Sequence, residues 1–97
     1  MKFNRFNNKE LNTLLLKRKG GATSIKIIDA LLKQPRNVNQ LSKLLKLDYK
    51  TIKYHVTLFH DLKFLIKDGD GYGSLYYPSE KLLNNMKEYE EIRKTLK

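Results

Sequence analysis

The chain has 97 residues, 40% of them hydrophobic and none of them cysteine, and it carries a formal net charge of +10. That length and composition allow one small domain with a real core, and the lack of cysteine excludes disulfides, thiolate metal sites and cysteine nucleophiles. Apolar runs such as Leu14-Leu15-Leu16 and Phe64-Leu65-Ile66 are too short for a membrane span or a signal-peptide core, so the expectation is a cytoplasmic protein without membrane contact.

Residues 1–19 read as a first helix. Asn7 or Asn8 can cap it, and Leu11, Leu14 and Leu15 form an i, i+3, i+4 stripe. Lys17, Arg18 and Lys19 suit the negative end of the helix dipole, and Gly20-Gly21 ends the helix. Such a helix is too short to stand alone, so its stripe must dock on the main body or on a second chain, and Phe3 and Phe6 could extend the contact. Thr23 or Ser24 then caps a second helix, roughly 25–33, which buries Ile27, Ile28, Leu31 and Leu32 and stops at Pro35. Residues 36–38 read as a short extended piece.

Asn39 is the expected cap of a third helix, with Leu41, Leu44 and Leu45 inward. A tight joint at Lys46-Leu47-Asp48 follows, and Asp48 caps a fourth helix. On a helical wheel Ile52, His55, Val56, Phe59 and Leu62 fall on one side, while Lys50, Lys53, Tyr54, Thr57 and Asp61 fall on the other. One face can pack on a core and the opposite face can meet a polyanion. Two helices joined in this way, the second presented outward, form a helix-turn-helix.

After Leu62 the period changes. Residues 64–67 read as a strand, Asp68-Gly69-Asp70-Gly71-Tyr72-Gly73 as a hairpin turn and residues 74–77 as the return strand, which Pro78 stops. Ser79 caps a last helix to about Leu96, striped by Leu82, Leu83, Met86, Tyr89, Ile92 and Leu96 at near-heptad spacing. The predicted fold class is mainly α with a small β-hairpin, a winged helix-turn-helix with an extra helix at each end. Residues 1–97 form one domain, with 1–19 as the N-terminal helix, 23–78 as the core and 79–97 as the C-terminal helix.

Residues 39–67 also resemble the DNA-binding segment of the ArsR-type winged-helix repressors. That family carries a pattern near L-a-x-x-L-x-l-x-x-x-T-V-x-x-H-L-x-x-L, followed by a strand and a wing. Here it stands as Leu41-Ser42-Lys43-Leu44-Leu45-Lys46-Leu47, then Thr51-Ile52-Lys53-Tyr54-His55-Val56-Thr57-Leu58-Phe59. The resemblance covers about residues 23–78. The family often has a glycine where Lys63 stands, and its metal-sensing members use cysteines, so metal sensing of that kind is not carried over. The resemblance implies a dimeric DNA-binding transcription regulator whose terminal helices make the dimer contact.

The charge distribution agrees with a polyanionic partner. Residues 1–67 hold 15 Lys/Arg and 4 Asp/Glu, whereas residues 68–97 hold 5 and 6, so the positive field lies on the body that contains the two-helix unit. The expected DNA-binding residues are Asn39, Gln40, Lys50, Thr51, Lys53, Tyr54, Thr57, Lys67 and Tyr72. Lysines can meet guanine or phosphate, threonines a thymine methyl or phosphate, and tyrosine a phosphate or sugar. Ser24, Lys26 and Arg36 could add backbone contacts. The plain alternative is a solvated polar face. In the wing, Asp68 and Asp70 oppose deep insertion, so Lys67, Tyr72 and Ser74 are expected at the backbone.

For the dimer the expected residues are Leu11, Leu14, Leu15, Leu82, Met86, Tyr89, Ile92 and Leu96. The glutamates of the last helix, Glu88, Glu90 and Glu91, keep it off the DNA side. The competing expectation is that both terminal helices pack on their own domain.

Other chemistries fit less well. Asp68-x-Asp70 fails as a calcium loop because Tyr72 and Ser79 stand at two ligand positions. The glycine turn lacks the Gly-Lys-Ser/Thr of a phosphate loop. His55 and His60, five apart, diverge on a helix rather than pair on a metal, and His55 reads as a core-edge histidine bonded to a backbone group. The serines have no histidine–acid constellation near them in sequence. The expected function is therefore sequence-specific binding of double-stranded DNA as a homodimer, third core helix in the major groove, without cofactor, metal or catalysis. The alternative is a winged helix that docks protein or binds nucleic acid non-specifically.

Overall fold

The computed structural model describes residues 11–17 and 20–96. Phe3, Phe6, Asn7, Asn8, Arg18 and Lys19 lie outside the described residues. The elements run α1 (Thr13–Lys17, wound as a π-helix), α2 (Gly21–Lys33), α3 (Val38–Leu45), α4 (Tyr49–Asp61), β1 (Leu65–Asp68), β2 (Leu75–Pro78), α5 (Glu80–Leu83) and α6 (Met86–Leu96). This is a mostly helical winged helix-turn-helix with an antiparallel two-stranded wing.

Helix α2 begins four residues earlier than expected. Gly20 takes a left-handed conformation, φ 87°, which glycine adopts at little cost, and its carbonyl accepts from the Ser24 N–H at 2.9 Å. The first turn thus forms without a side-chain cap, and Ser24 turns inward. The helix buries Ile25, Ile27, Ile28, Ala30 and Leu31 and ends where Gln34, the residue before Pro35, becomes extended. Arg36 makes a two-hydrogen-bond bridge to Tyr76, so the predicted extended piece joins the wing sheet.

The cap of α3 is Asn37, not Asn39. The Asn37 side chain accepts from the Gln40 N–H at 2.8 Å, and Gln40 Oε1 accepts from the Asn37 N–H at 2.9 Å. This reciprocal pair satisfies two helix-end donors, and it moves the start of the helix two residues upstream of the expected position. Lys46, left-handed at φ 59°, closes α3, and the Ser42 hydroxyl donates to the Leu47 carbonyl at 2.5 Å across the joint. Helix α4 buries Ile52, His55, Val56 and Phe59. A fully buried phenylalanine contributes on the order of 2–3 kcal/mol, and Phe59 also meets Phe64 edge-on at 6.3 Å.

The wing pairs Leu65 with Pro78, Ile66 with Tyr77, Lys67 with Tyr76 and Asp68 with Leu75. Alternation puts Leu65 and Tyr76 toward the core and Ile66 outward. Behind it, the expected single C-terminal helix is two. The break falls at Asn84-Asn85, where buried Asn85 donates its side-chain amide to the Lys81 carbonyl at 2.8 Å. Ser79 caps α5, as its sequence position predicts.

Both terminal segments pack on the domain itself. Helix α1 lies against α2 and α6, and α6 lies against α2. The Tyr89 hydroxyl donates to Asp29 Oδ1 at 2.7 Å, and Arg93 donates to the same oxygen at 2.9 Å. Burial and the carboxylate acceptor push the Tyr89 phenol well above its ordinary range. Leu11, Leu14, Leu15, Leu82, Tyr89 and Ile92 are consequently buried within one chain, and Met86 and Leu96 are half-buried. These stripes find their cover inside the protomer, because a lone helix with an apolar face buries it on the nearest available core.

Candidate nucleic-acid interface

The apolar side of α4 fixes where its other side points. Lys50, Lys53, Tyr54 and Thr57 are all exposed, with Tyr54 54% accessible. The opposite side is held by Ile52, Val56 and Phe59 in the core and by His55, whose Nδ1 is hydrogen-bonded to Ser24 Oγ at 3.0 Å. A side chain on α2 is thus a partner of His55. Ser24 is buried in that contact, so it is not available to a phosphate. The two residues lie 31 apart in the chain, and no local sequence signal joins them. Tyr54 meets the His55 ring edge-on at 5.3 Å.

The start of α4 is built by Asp48. Its carboxylate accepts from the Thr51 hydroxyl at 2.6 Å and from the Thr51 N–H at 3.2 Å. The hydroxyl bond, then the amide bond, hold the Asp48 carboxyl below the usual carboxylate value. Thr51 therefore commits its hydroxyl proton to the cap, which leaves its methyl and the hydroxyl oxygen as an acceptor for a base edge. The end of α4 is tied by Lys81, which donates to the Leu62 carbonyl at 3.0 Å and lies 4.4 Å over the Phe64 ring. A cation near the last carbonyls complements the helix dipole.

Asn39 and Gln40 are exposed on the first turn of α3. Gln40 spends its carbonyl oxygen on the capping pair, whereas Asn39 makes no cap. The two wing candidates go to different ends of α4. Tyr72, at the wing tip, stacks on Tyr49 at the first residue of α4, with ring centroids 6.0 Å apart and planes 15° from parallel. Lys67, opposite Tyr76, lines an open cleft of about 430 Å³ with His60, Asp61 and Lys63 at the far end. Asp68 and Asp70 are exposed. Tyr49 was missed by the sequence reading, although an aromatic residue directly after an N-cap and a tyrosine between two turn glycines were both visible signals. Among the described residues, no group of three or more His, Asp or Glu is placed to hold a metal ion, and no helix is long and apolar enough to cross a membrane.

A helix-turn-helix with a cationic, hydrogen-bonding outward face and a wing beside it defines a DNA-binding protein of the winged-helix class. Residues 22–69 match the family described as bacterial regulatory protein, arsR family. Residues 22–69 are thus an ArsR-type helix-turn-helix domain, that of a DNA-binding transcription regulator. The matched segment holds α2 from its second residue, α3, α4 and β1, and leaves out α1, β2, α5 and α6. No curated protein matches the chain.

Proposed function

We propose that this protein is a cytoplasmic transcription regulator that binds a specific double-stranded DNA site as a homodimer, with α4 in the major groove. The observation that carries the reading is the face of α4. Lys50, Lys53, Tyr54 and Thr57 share one exposed side of a helix whose other side is locked into the core. Phosphate contacts from the lysines supply affinity, while Tyr54, Thr57 and the Thr51 methyl supply sequence preference. Asn39, Gln40 and Tyr72 flank this face as backbone contacts, and Lys67 stands by the C-terminal end of α4.

The dimer rests on what the protomer leaves uncovered. With six stripe residues buried inside the chain, an interface through the terminal helices draws on half-buried Met86 and Leu96 and on exposed Leu16 and Leu83. Two-fold pairing there would set half-sites about 34 Å apart.

The test is selection of duplexes from a random pool at near-physiological salt with excess non-specific competitor, followed by binding of Lys53→Ala and Tyr54→Ala to the selected site. The expected results are a two-fold symmetric site and at least about a 5-fold loss of affinity in each variant with an unchanged melting curve. Unchanged affinity in both variants sinks the assigned face. Binding without any enriched sequence points instead to a non-specific binder or a docking module.

A further inference from the structure

The wing tip is closed by one main-chain turn bond, from the Ser74 N–H to the Gly71 carbonyl at 3.2 Å. Its apex reads Gly71-Tyr72-Gly73, and a β-carbon added at either glycine would meet nothing within 4 Å. Neither glycine is there because of crowding. They leave the apex free to move, since glycine has the widest backbone freedom. Tyr72, between them, is 80% exposed, yet its ring lies parallel on Tyr49. Tyr49 is anchored in turn. It is the first residue of α4, follows the Asp48 cap and packs half-buried against the core. Burial, then the neighbouring Tyr72, raise its phenol above the ordinary value. The stack thus joins the glycine-flanked apex of the wing to the N-terminal end of α4.

We propose that Tyr49 is a positioning residue: by stacking on Tyr72 it holds the wing tip in a fixed place beside the start of α4, so that the open face and hydroxyl of Tyr72 reach the sugar-phosphate backbone flanking the base pairs that α4 reads. Without the stack, the Gly71-Tyr72-Gly73 apex must be ordered at the moment of binding, and that ordering cost subtracts from affinity. The proposal rests on the DNA-binding reading above.

The experiment combines a double-mutant cycle on the selected duplex with a readout that needs no DNA. Tyr72→Ala and Tyr49→Ala are each expected to weaken binding about 3- to 10-fold, the range that an aromatic pair is worth. The double variant is expected to be no weaker than Tyr72→Ala alone. Tyr49→Phe keeps the ring and is expected to bind within about 2-fold of the parent, which separates stacking from a hydroxyl contact. In the free protein, backbone NMR relaxation at Gly71 and Gly73 is expected to show increased fast motion in Tyr49→Ala and parent-like motion in Tyr49→Phe. Tyr72→Ala, a change at an exposed site, should return the Tyr49 phenol toward its ordinary value without unfolding the domain.

Losses that multiply in the double variant would mean two independent contacts and would overturn the proposal. So would unchanged wing motion in a folded Tyr49→Ala protein. If that variant does not fold, parent-like motion at Gly71 and Gly73 in Tyr72→Ala overturns it equally. A parent protein that binds no duplex defeats the DNA-binding reading, while the relaxation data still decide whether the stack holds the wing.

Discussion

Gly20 and Gly21 sit side by side and do different work. Gly20 needs its left-handed φ of 87°, and a β-carbon there would also lie 3.2 Å from His55 Cε1. Gly21 has no such backbone demand, but a β-carbon on it would fall 1.9 Å from the Leu15 carbonyl oxygen. That oxygen belongs to the backbone of α1, so relief requires α1 to move off α2. Gly21→Ala is therefore expected to cost about 3 kcal/mol, at the upper end of ordinary overpacking, as read by urea denaturation. Lys63 is the opposite case. It holds φ 73° with a β-carbon, at the place where the related pattern often has glycine. Its N–H donates to His60 and its carbonyl accepts from Ser79, and both bonds are main-chain groups that glycine would retain. Lys63→Gly is expected to raise stability by about 0.5–1 kcal/mol, the left-handed penalty less glycine's entropy cost. A loss of stability in that variant would show that the lysine side chain contributes more than its backbone strain costs.

At the scale of elements, the start of α4 carries a pH dependence with a definite sign. The folded Asp48 carboxyl lies below its unfolded value of 3.8 because Thr51 bonds the ionised form. Its contribution is fully present above that unfolded value and is lost as pH falls through the lower folded one. Asp48→Asn keeps a capping oxygen but has no proton to gain. The thermal midpoint of Asp48→Asn is thus expected to fall less between pH 6 and pH 3 than that of the parent, by differential scanning calorimetry. Equal falls would remove Asp48 from the acid response.

The caps and faces of α3 and α4 were legible because they are local: a residue, its neighbours three or four positions on, and an alternation of apolar and polar. Even so, two asparagines, Asn37 and Asn39, offer competing caps, and it is the Asn37-x-x-Gln40 spacing that decides for Asn37 over the expected Asn39. The break at Asn84-Asn85 was hidden for a related reason. The apolar stripe continues from Leu82 through Met86 to Tyr89 at helical spacing, so the period is blind to a two-residue interruption made by a buried asparagine side chain. The Ser24–His55 bond, the Lys81 tie to Leu62 and the Tyr49–Tyr72 stack join residues 31, 19 and 23 positions apart. Only the assembled fold brings such pairs together, and all three act on α4.

For the whole molecule, the central question is how many copies of α4 meet one duplex. The positive charge of residues 1–67 would draw either a monomer or a dimer to DNA, and the terminal helices already bury most of their apolar stripes within one chain. Salt dependence separates the two cases. Each neutralised phosphate contributes about 0.9 to the slope of log affinity against log salt on B-DNA. Lys50 is exposed on the outward face of α4 near its N-terminus, where a phosphate contact is geometrically simplest. Removing it deletes one phosphate contact per bound protomer. Lys50→Ala is expected to flatten the slope by about 1.8 when a two-fold dimer engages both half-sites, and by about 0.9 when a monomer binds. Anisotropy titrations of the selected duplex across a salt series give the difference directly. A slope change near the larger value requires two copies of α4 on the DNA, whether they meet through Leu83 and Met86 or through another surface. A change near the smaller value assigns the protein to monomeric binding, and an unchanged slope removes Lys50 from the phosphate backbone.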